Sequence, residues 1–213
     1  MIELPPEYAF LPEVKHGVIH VGANSGQERI YYAEFGLRVV WLEPIPRKFA
    51  ELVSNLTDYP EQQAFRRLIT DVDGGEYTLH LQRNEEQQST SIFQFSGHKQ
   101  LFPWAKHRLS LPGVHSVTLA TFMACEQLNP VGYDALVIDT EGAELLVLKG
   151  AGNLLHGFDF VLVEAGDVEL YAGGCTLGEL DAYLGNYGFQ QEYAIPFHSK
   201  PGFGFICNAL YTR

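Results

Sequence analysis

Cysteine is scarce in this sequence and badly placed for chemistry. Cys125, Cys175 and Cys207 are the three in 213 residues. They are far apart and odd in number, with no CxxC pair and no zinc-ligand spacing, which excludes a disulfide framework and a thiolate metal site. Reduced, partly buried thiols of a cytoplasmic protein are the reading they support. Basic residues are also few, 14 Lys and Arg against 26 Asp and Glu, for a net charge of −12. The nearest approaches to a basic run are the pairs Arg47-Lys48 and Arg66-Arg67. Such a surface repels nucleic acid and anionic membranes, so neither is expected as a partner. A small-molecule partner is expected, and self-association stays open. No apolar run approaches transmembrane length. The first residues, Met1 to Glu7, are acidic and broken by proline, unlike a signal peptide. There is no internal repeat, no low-complexity tract and no linker, so residues 1–213 read as one domain.

What is present is an alternation of apolar strands and amphipathic helices. Gly17–Val21, Val39–Glu43, Gln63–Thr70, Ala135–Asp139 and Phe160–Val163 read as strands. A helix is expected after the first strand, with Ser25 and Glu28 as a capping box and an end near Gly36. Pro46 stands like the first residue of a second helix, whose face carries Phe49, Leu52, Val53 and Leu56. Asp73-Gly74-Gly75 turns into Glu76–Gln82, with Tyr77, Leu79 and Leu81 on one side. Residues 83–116 resist a regular reading, being polar and then aromatic, and are expected to form a lid or an acceptor-binding insertion. A short strand is expected at Val117–Leu119. Glu141–Lys149 reads as a helix ended by Gly150 and Gly152, and Thr176 with Glu179 caps another that runs through Leu184 and Tyr187 to Gly188. Two late strands, Phe189–Ile195 and Phe205–Tyr211, are joined by Pro196–Gly204, expected as a long hairpin loop. The pattern predicts an α/β fold: a mostly parallel sheet with helices on both faces, finished by an antiparallel C-terminal strand pair.

The most informative stretch is Val18 to Glu28, where an apolar strand runs into a turn carrying Gly22 and Gly26. A turn of this kind places free backbone N–H groups beside a cofactor. The dinucleotide fingerprint wants glycine at the first, third and sixth positions, and here these are Gly22, Asn24 and Gln27. Without the second glycine the backbone cannot approach a pyrophosphate closely, which disfavours a nicotinamide dehydrogenase. A looser turn suits adenosylmethionine, whose methionine end the Asn24 side chain can bond. Glu43 closes the second strand, where a carboxylate suits a ribose diol. A binding module that keeps the adenosyl site without turnover is the other alternative.

These segments resemble the FkbM family of S-adenosylmethionine-dependent methyltransferases. Val18 to Glu28 is similar to that family's first motif and Trp41-Leu42-Glu43-Pro44 to its second. The fullest match runs from Tyr133 through Asp139-Thr140-Glu141-Gly142 to Ala151, and Ser89-Thr90-Ser91 stands between the motifs as in that family. The resemblance spans residues 14 to 213. It implies a Rossmann-like methyltransferase fold, S-adenosyl-L-methionine as cofactor, and transfer to hydroxyl groups of secondary metabolites or sugars. His20 departs from the pattern, since acidic residues are common at that position in methyltransferases.

The cofactor-contacting candidates are therefore His20, Gly22, Asn24, Ser25, Gly26, Glu43, Asp71 and Asp139. Asp71, at the end of the third strand, is expected at the adenine amino group. A hydroxyl is a weak nucleophile until its proton is taken, so a base at hydrogen-bond reach is needed. Asp139 is the first candidate, with Glu141 and His98 next and His107 behind them. Asp139, Glu141 and Glu164 offer oxygens that a magnesium ion could use, but they form no dense cluster in the sequence, and no metal is expected.

Overall fold

The computed structural model describes residues 2–82 and 89–213. In chain order its elements are β1 (Gly17–Val21), α1 (Arg29–Glu34), β2 (Arg38–Leu42), α2 (Pro46–Asn55), β3 (Gln62–Phe65), β4 (Leu68–Ile69), β5 (Glu76–Gln82), α3 (His98–Leu101), β6 (His107–Val117), α4 (Leu119–Cys125), β7 (Ala135–Ile138), α5 (Glu144–Ala151), β8 (Phe160–Gly166), α6 (Leu177–Gly185), β9 (Gln190–Lys200) and β10 (Gly204–Thr212). Seven strands form one sheet in the order β3-β2-β1-β7-β8-β10-β9, and three form a second in the order β4-β6-β5. In the large sheet the first five are parallel, while β10 runs antiparallel to both β8 and β9.

Side chains on the central strands alternate between two cores. Ile19, Val40, Leu136 and Val163 face one side, under Phe122 of α4, Leu148 of α5 and Leu180 of α6. Val18, Val39, Trp41 and Leu162 face the other, under Tyr32 of α1, Leu52 of α2 and the N-terminal residues Tyr8, Phe10 and Leu11. Strands covered on both faces need apolar residues in succession, and β1 and β7 are buried at every position. The expected α/β architecture is the one the chain forms.

Several local expectations are corrected. The third strand divides at the exposed pair Arg66-Arg67. Its first part stays in the large sheet as β3, and Leu68–Ile69 pairs with Ser116 and Val117 of β6 instead. Much of the segment that resisted a regular reading is β6, eleven residues long, whose pattern is interrupted by Pro112-Gly113 and whose pairing with β5 carries two irregularities. Residues 83–88, part of that segment, lie outside the described residues. Val117 ends β6, and Leu119 opens a helix capped by Thr118, whose side chain accepts from the Thr121 N–H. The Ser25–Glu28 capping box does not form, and α1 begins only at Arg29. The box at Thr176 and Glu179 does form, on a helix that ends at Gly185. Val53 is 49% exposed and lies off the buried face of α2. α5 starts three residues late and continues through Gly150, where no side chain fits beside the Thr70 carbonyl. The expected long hairpin loop is mostly strand, because β9 continues to Lys200 with Pro196 on the sheet edge, where a missing N–H is tolerated.

Candidate active site

From β1 the chain moves outward to β2 and β3, and later returns beside β1 to build β7 and then β8 on the other side. The connections diverge between β1 and β7, which opens a crevice beyond the carboxyl ends of the strands. A cavity of about 530 Å³ occupies it.

Its floor is the meeting of two turns. Gly22 follows β1 with φ +89°, and a Cβ there would stand 1.7 Å from the Asp139 carbonyl oxygen. Glycine alone allows that approach. Asn24 follows in the left-handed region, φ +47°. Its N–H donates to Glu43 Oε2 at 2.8 Å, and the Ile45 N–H donates to Glu43 Oε1 at 2.7 Å. Two backbone donors thus aim a buried carboxylate from the tip of β2 while each oxygen keeps a lone pair for a ligand. Burial pushes this carboxyl up to about 7, against the pull of those two N–H groups.

Asp139 follows β7, and its Oδ1 is buried with no hydrogen-bond partner. Glu141 lies two residues on, in a left-handed turn of φ +57°. Ser91 Oγ donates to its carbonyl at 2.6 Å, and the Tyr171 hydroxyl donates to its carboxylate. Glu164 projects from β8. One oxygen each of Asp139, Glu141 and Glu164 lies within 4.8 Å of the others. The carboxylates that look scattered in the sequence are thus brought together by the fold. Burial, with Glu144 and other carboxylates adding, pushes Asp139 up to about 8. Burial and the same kind of repulsion raise Glu141 and Glu164 well above the usual range. Glu28, in the same wall, is pushed by burial up to about 7. Such a site is complementary to a cation.

The opposite wall is aromatic. Phe95 stacks between His107 at 3.6 Å and His98 at 4.3 Å, and Phe102 stacks on His198 at 4.5 Å and lies tilted against His98 at 4.7 Å. His98 is 2% exposed and its Nδ1 has no partner. Burial, with His107 adding, lowers its pKa to about 4, so the ring is neutral. Trp104 and Phe197 also line the cavity yet are 69% and 50% exposed, which puts them at its rim.

The Methyltransferase FkbM domain matches residues 20–190, from His20 in β1 to the first residue of β9. The chain belongs to the FkbM methyltransferase family. No curated protein matches it. Among solved structures, Streptococcus pneumoniae Sp1610 in complex with S-adenosyl-L-methionine is similar in fold, with 11% identity over 99% of this chain and 73% of that one, and a TM-score of 0.53. Magnesium protoporphyrin IX methyltransferase from Synechocystis PCC 6803 with bound SAH is 10% identical over 93% and 74%, TM-score 0.52. Aeropyrum pernix fibrillarin with natively bound S-adenosyl-L-methionine is 13% identical over 98% and 70%, TM-score 0.52.

In this FkbM domain His20, Gly22, Asn24, Glu43, His98, Asp139 and Glu141 all line the cavity. Ser25, Gly26 and Asp71 do not. The Ser25 carbonyl accepts from Asn55 Nδ2 at 2.8 Å, and a Cβ on Gly26 would meet Leu52 at 2.6 Å, so both residues brace α2. Asp71 lies beyond β4, because the third strand divides before it; Arg67, Leu68 and Ile69 form that part of the wall. His107 is held by Phe95 and the Ser89 carbonyl rather than facing the cavity. His20 stacks on Trp41 at 4.7 Å with Nδ1 3.0 Å from the Tyr32 hydroxyl, and burial lowers its pKa to about 3. The position where acids are common thus carries a neutral ring. Glu28, whose spacing from Ser25 indicates a helix cap, lines the cavity instead, as do Arg67 and Phe197, which no motif marks; Phe197 reaches the cavity because β9 is longer than its pattern indicates. No helix among the described residues is long and apolar enough to cross a membrane.

Proposed function

We propose that the protein transfers the methyl group of S-adenosylmethionine to a hydroxyl of a small metabolite or sugar. The observation that carries the reading is Asp139, whose buried Oδ1 lacks a partner inside a cavity that Glu43 flanks from the tip of β2. When bound, the donor supplies an activated methyl on a sulfonium, so an attacking oxygen displaces a neutral thioether and releases its proton.

The residues present fit such a donor. Glu43, fixed by two N–H groups, offers a free lone pair on each oxygen to a ribose diol. The Gly22–Asn24 turn faces the same space, and the cluster of Glu28, Asp139, Glu141 and Glu164 provides the negative surroundings that a sulfonium and an ammonium need. Asp139, pushed up to about 8, is matched to drawing a proton from a hydroxyl near neutral pH. His98, neutral and with a bare nitrogen, is placed to accept a hydrogen bond from the acceptor. Ser89 to Ala105 supplies the acceptor wall, and the exposed rings of Trp104 and Phe197 suit the apolar face of a sugar or a flat metabolite.

Calorimetry with S-adenosylhomocysteine, followed by label transfer from methyl-labelled donor to a panel of sugars and phenols, tests the reading. Binding of the donor product together with alkali-stable label on a hydroxyl supports it. No binding at millimolar ligand sinks it, and label found on nitrogen or carbon overturns the choice of acceptor.

A further inference from the structure

We propose that Asp139, Glu141 and Glu164 bind one hard divalent cation, Mg²⁺ or Mn²⁺, beside the acceptor hydroxyl. The role of the ion rests on the methyl-transfer reading; its binding does not.

The spacing is that of a coordination sphere. Oxygens placed 2.0–2.6 Å from one ion are at most about 4–5 Å from each other, and the three carboxylates meet within 4.8 Å. They come from three backbone positions that are each fixed: the tip of β7, the left-handed turn after it, and β8. Ser91 holds the carbonyl of that turn and Tyr171 holds one oxygen of Glu141.

Two further observations, independent of the spacing, point to a ligand. Asp139 Oδ1 and His98 Nδ1 are both buried and unpartnered, and both side chains line this cavity. His98 is not one of the acids, and its residue is 2% exposed. A buried polar atom without a partner is costly unless something in the cavity supplies the missing bond. Compensating charge is short as well. Among the described residues lining the cavity, Arg67 is the sole Lys or Arg, and its guanidinium pairs with Glu126 at 3.2 Å.

The donor set selects the ion. Carboxylate oxygens favour Mg²⁺ and Mn²⁺ over softer metals, and three protein ligands leave positions for water and a substrate oxygen. An acceptor hydroxyl on such an ion would lose its proton more readily, to the Asp139 oxygen that does not hold the ion.

Protein stripped with EDTA and desalted is titrated with Mn²⁺, with the free ion read by electron paramagnetic resonance. One Mn²⁺ per chain is expected, displaceable by Mg²⁺, with affinity at least tenfold weaker in Glu164→Gln and in Glu141→Gln. Glu51→Gln, on the surface of α2, is expected to leave it unchanged. Absence of stoichiometric binding at millimolar Mn²⁺, or unaltered affinity in the site variants, overturns the proposal. Circular dichroism establishes that each variant is folded, and either one alone suffices. S-adenosylhomocysteine calorimetry on the same stripped protein separates the two readings. Retained nucleoside binding without Mn²⁺ binding overturns the cation site alone, and Mn²⁺ binding without nucleoside binding supports the cation site and overturns the donor.

Discussion

Gly22 and the Asp139 carbonyl are packed so closely that one added carbon would stand 1.7 Å from the oxygen. The contact joins the two turns that floor the cavity. It is flanked by hydrogen bonds from the Gly22 N–H to the Leu42 carbonyl and from the Asp139 N–H to the Val21 carbonyl, both 2.9 Å.

Gly22→Ala is therefore expected to be severe. A side chain at φ +89° is strained by about 1–3 kcal/mol before any clash, and the clash is with backbone, which cannot swing aside. Urea denaturation should show a loss of a few kcal/mol, and S-adenosylhomocysteine affinity should fall by about a hundredfold or more. Unaltered affinity would mean that the turn relaxes without touching the ligand.

Glu43→Gln and Glu43→Ala test the ribose assignment separately from the turn. Loss of a charge-assisted bond is worth ~1.5–3 kcal/mol, so calorimetry should show donor-product affinity about tenfold weaker or more in both variants. Equal affinity for S-adenosylhomocysteine and for adenine alone in the wild type would show that the diol is not recognised.

For Asp139→Asn the expectation is a split. Single-turnover label transfer should slow by about 10²–10⁴-fold, the usual worth of a positioned acid–base group, while S-adenosylhomocysteine affinity stays within a few-fold. A rate near wild type removes Asp139 from the chemistry.

His20 gives a pH signature. Its folded pKa of about 3 lies below the ordinary 6.5, so between those values the unfolded chain binds the extra proton. Stability from this group is full above about pH 6.5 and is lost as pH falls towards 3, with a limiting slope of about 1.4 kcal/mol per pH unit. His20→Gln removes this contribution, so the wild-type minus variant difference in unfolding free energy should shrink between pH 7.5 and pH 5. A difference independent of pH would show that the ring titrates in the fold as it does in the unfolded chain.

Trp104→Ala probes the rim. At 69% exposure the indole contributes little to folding, so stability should change by less than about 0.5 kcal/mol. Acceptor KM should rise several-fold with donor affinity unchanged. A rise in donor Kd instead would place the indole over the adenosyl group.

The parallel core was legible because strands covered on both faces must be apolar in succession, and Gly17–Val21 and Ala135–Ile138 meet that demand with no other use for the pattern. Glu43 and Asp139 were legible for the converse reason, as charges closing apolar runs. Features decided by tertiary partners were hidden. Glu144 turns its carboxylate onto the N–H groups of Thr140 and Gly142 at the start of α5, in the turn that carries Glu141. The division of the third strand depends on β6, whose own pattern is broken by Pro112-Gly113, and it leaves Asp71 outside the cavity lining. The convergence of Asp139, Glu141 and Glu164 needed two adjacent strand tips, which no spacing in the sequence records.

The rim of the cavity has a different construction from its floor. Phe197 arrives on the β9–β10 hairpin, its neighbour His198 stacks on Phe102, and Lys200 Nζ donates to Gln100 Oε1 at 2.8 Å. Neither the hairpin tip nor the 89–105 segment belongs to the parallel strands whose turns leave no room for an added atom at Gly22. A change in one of these interlocked segments can therefore be compensated in the other without touching the Gly22–Asp139 floor. On the proposed reading, exchanging both segments together between relatives changes acceptor specificity, and exchanging only one separates the His198–Phe102 stack that seats them.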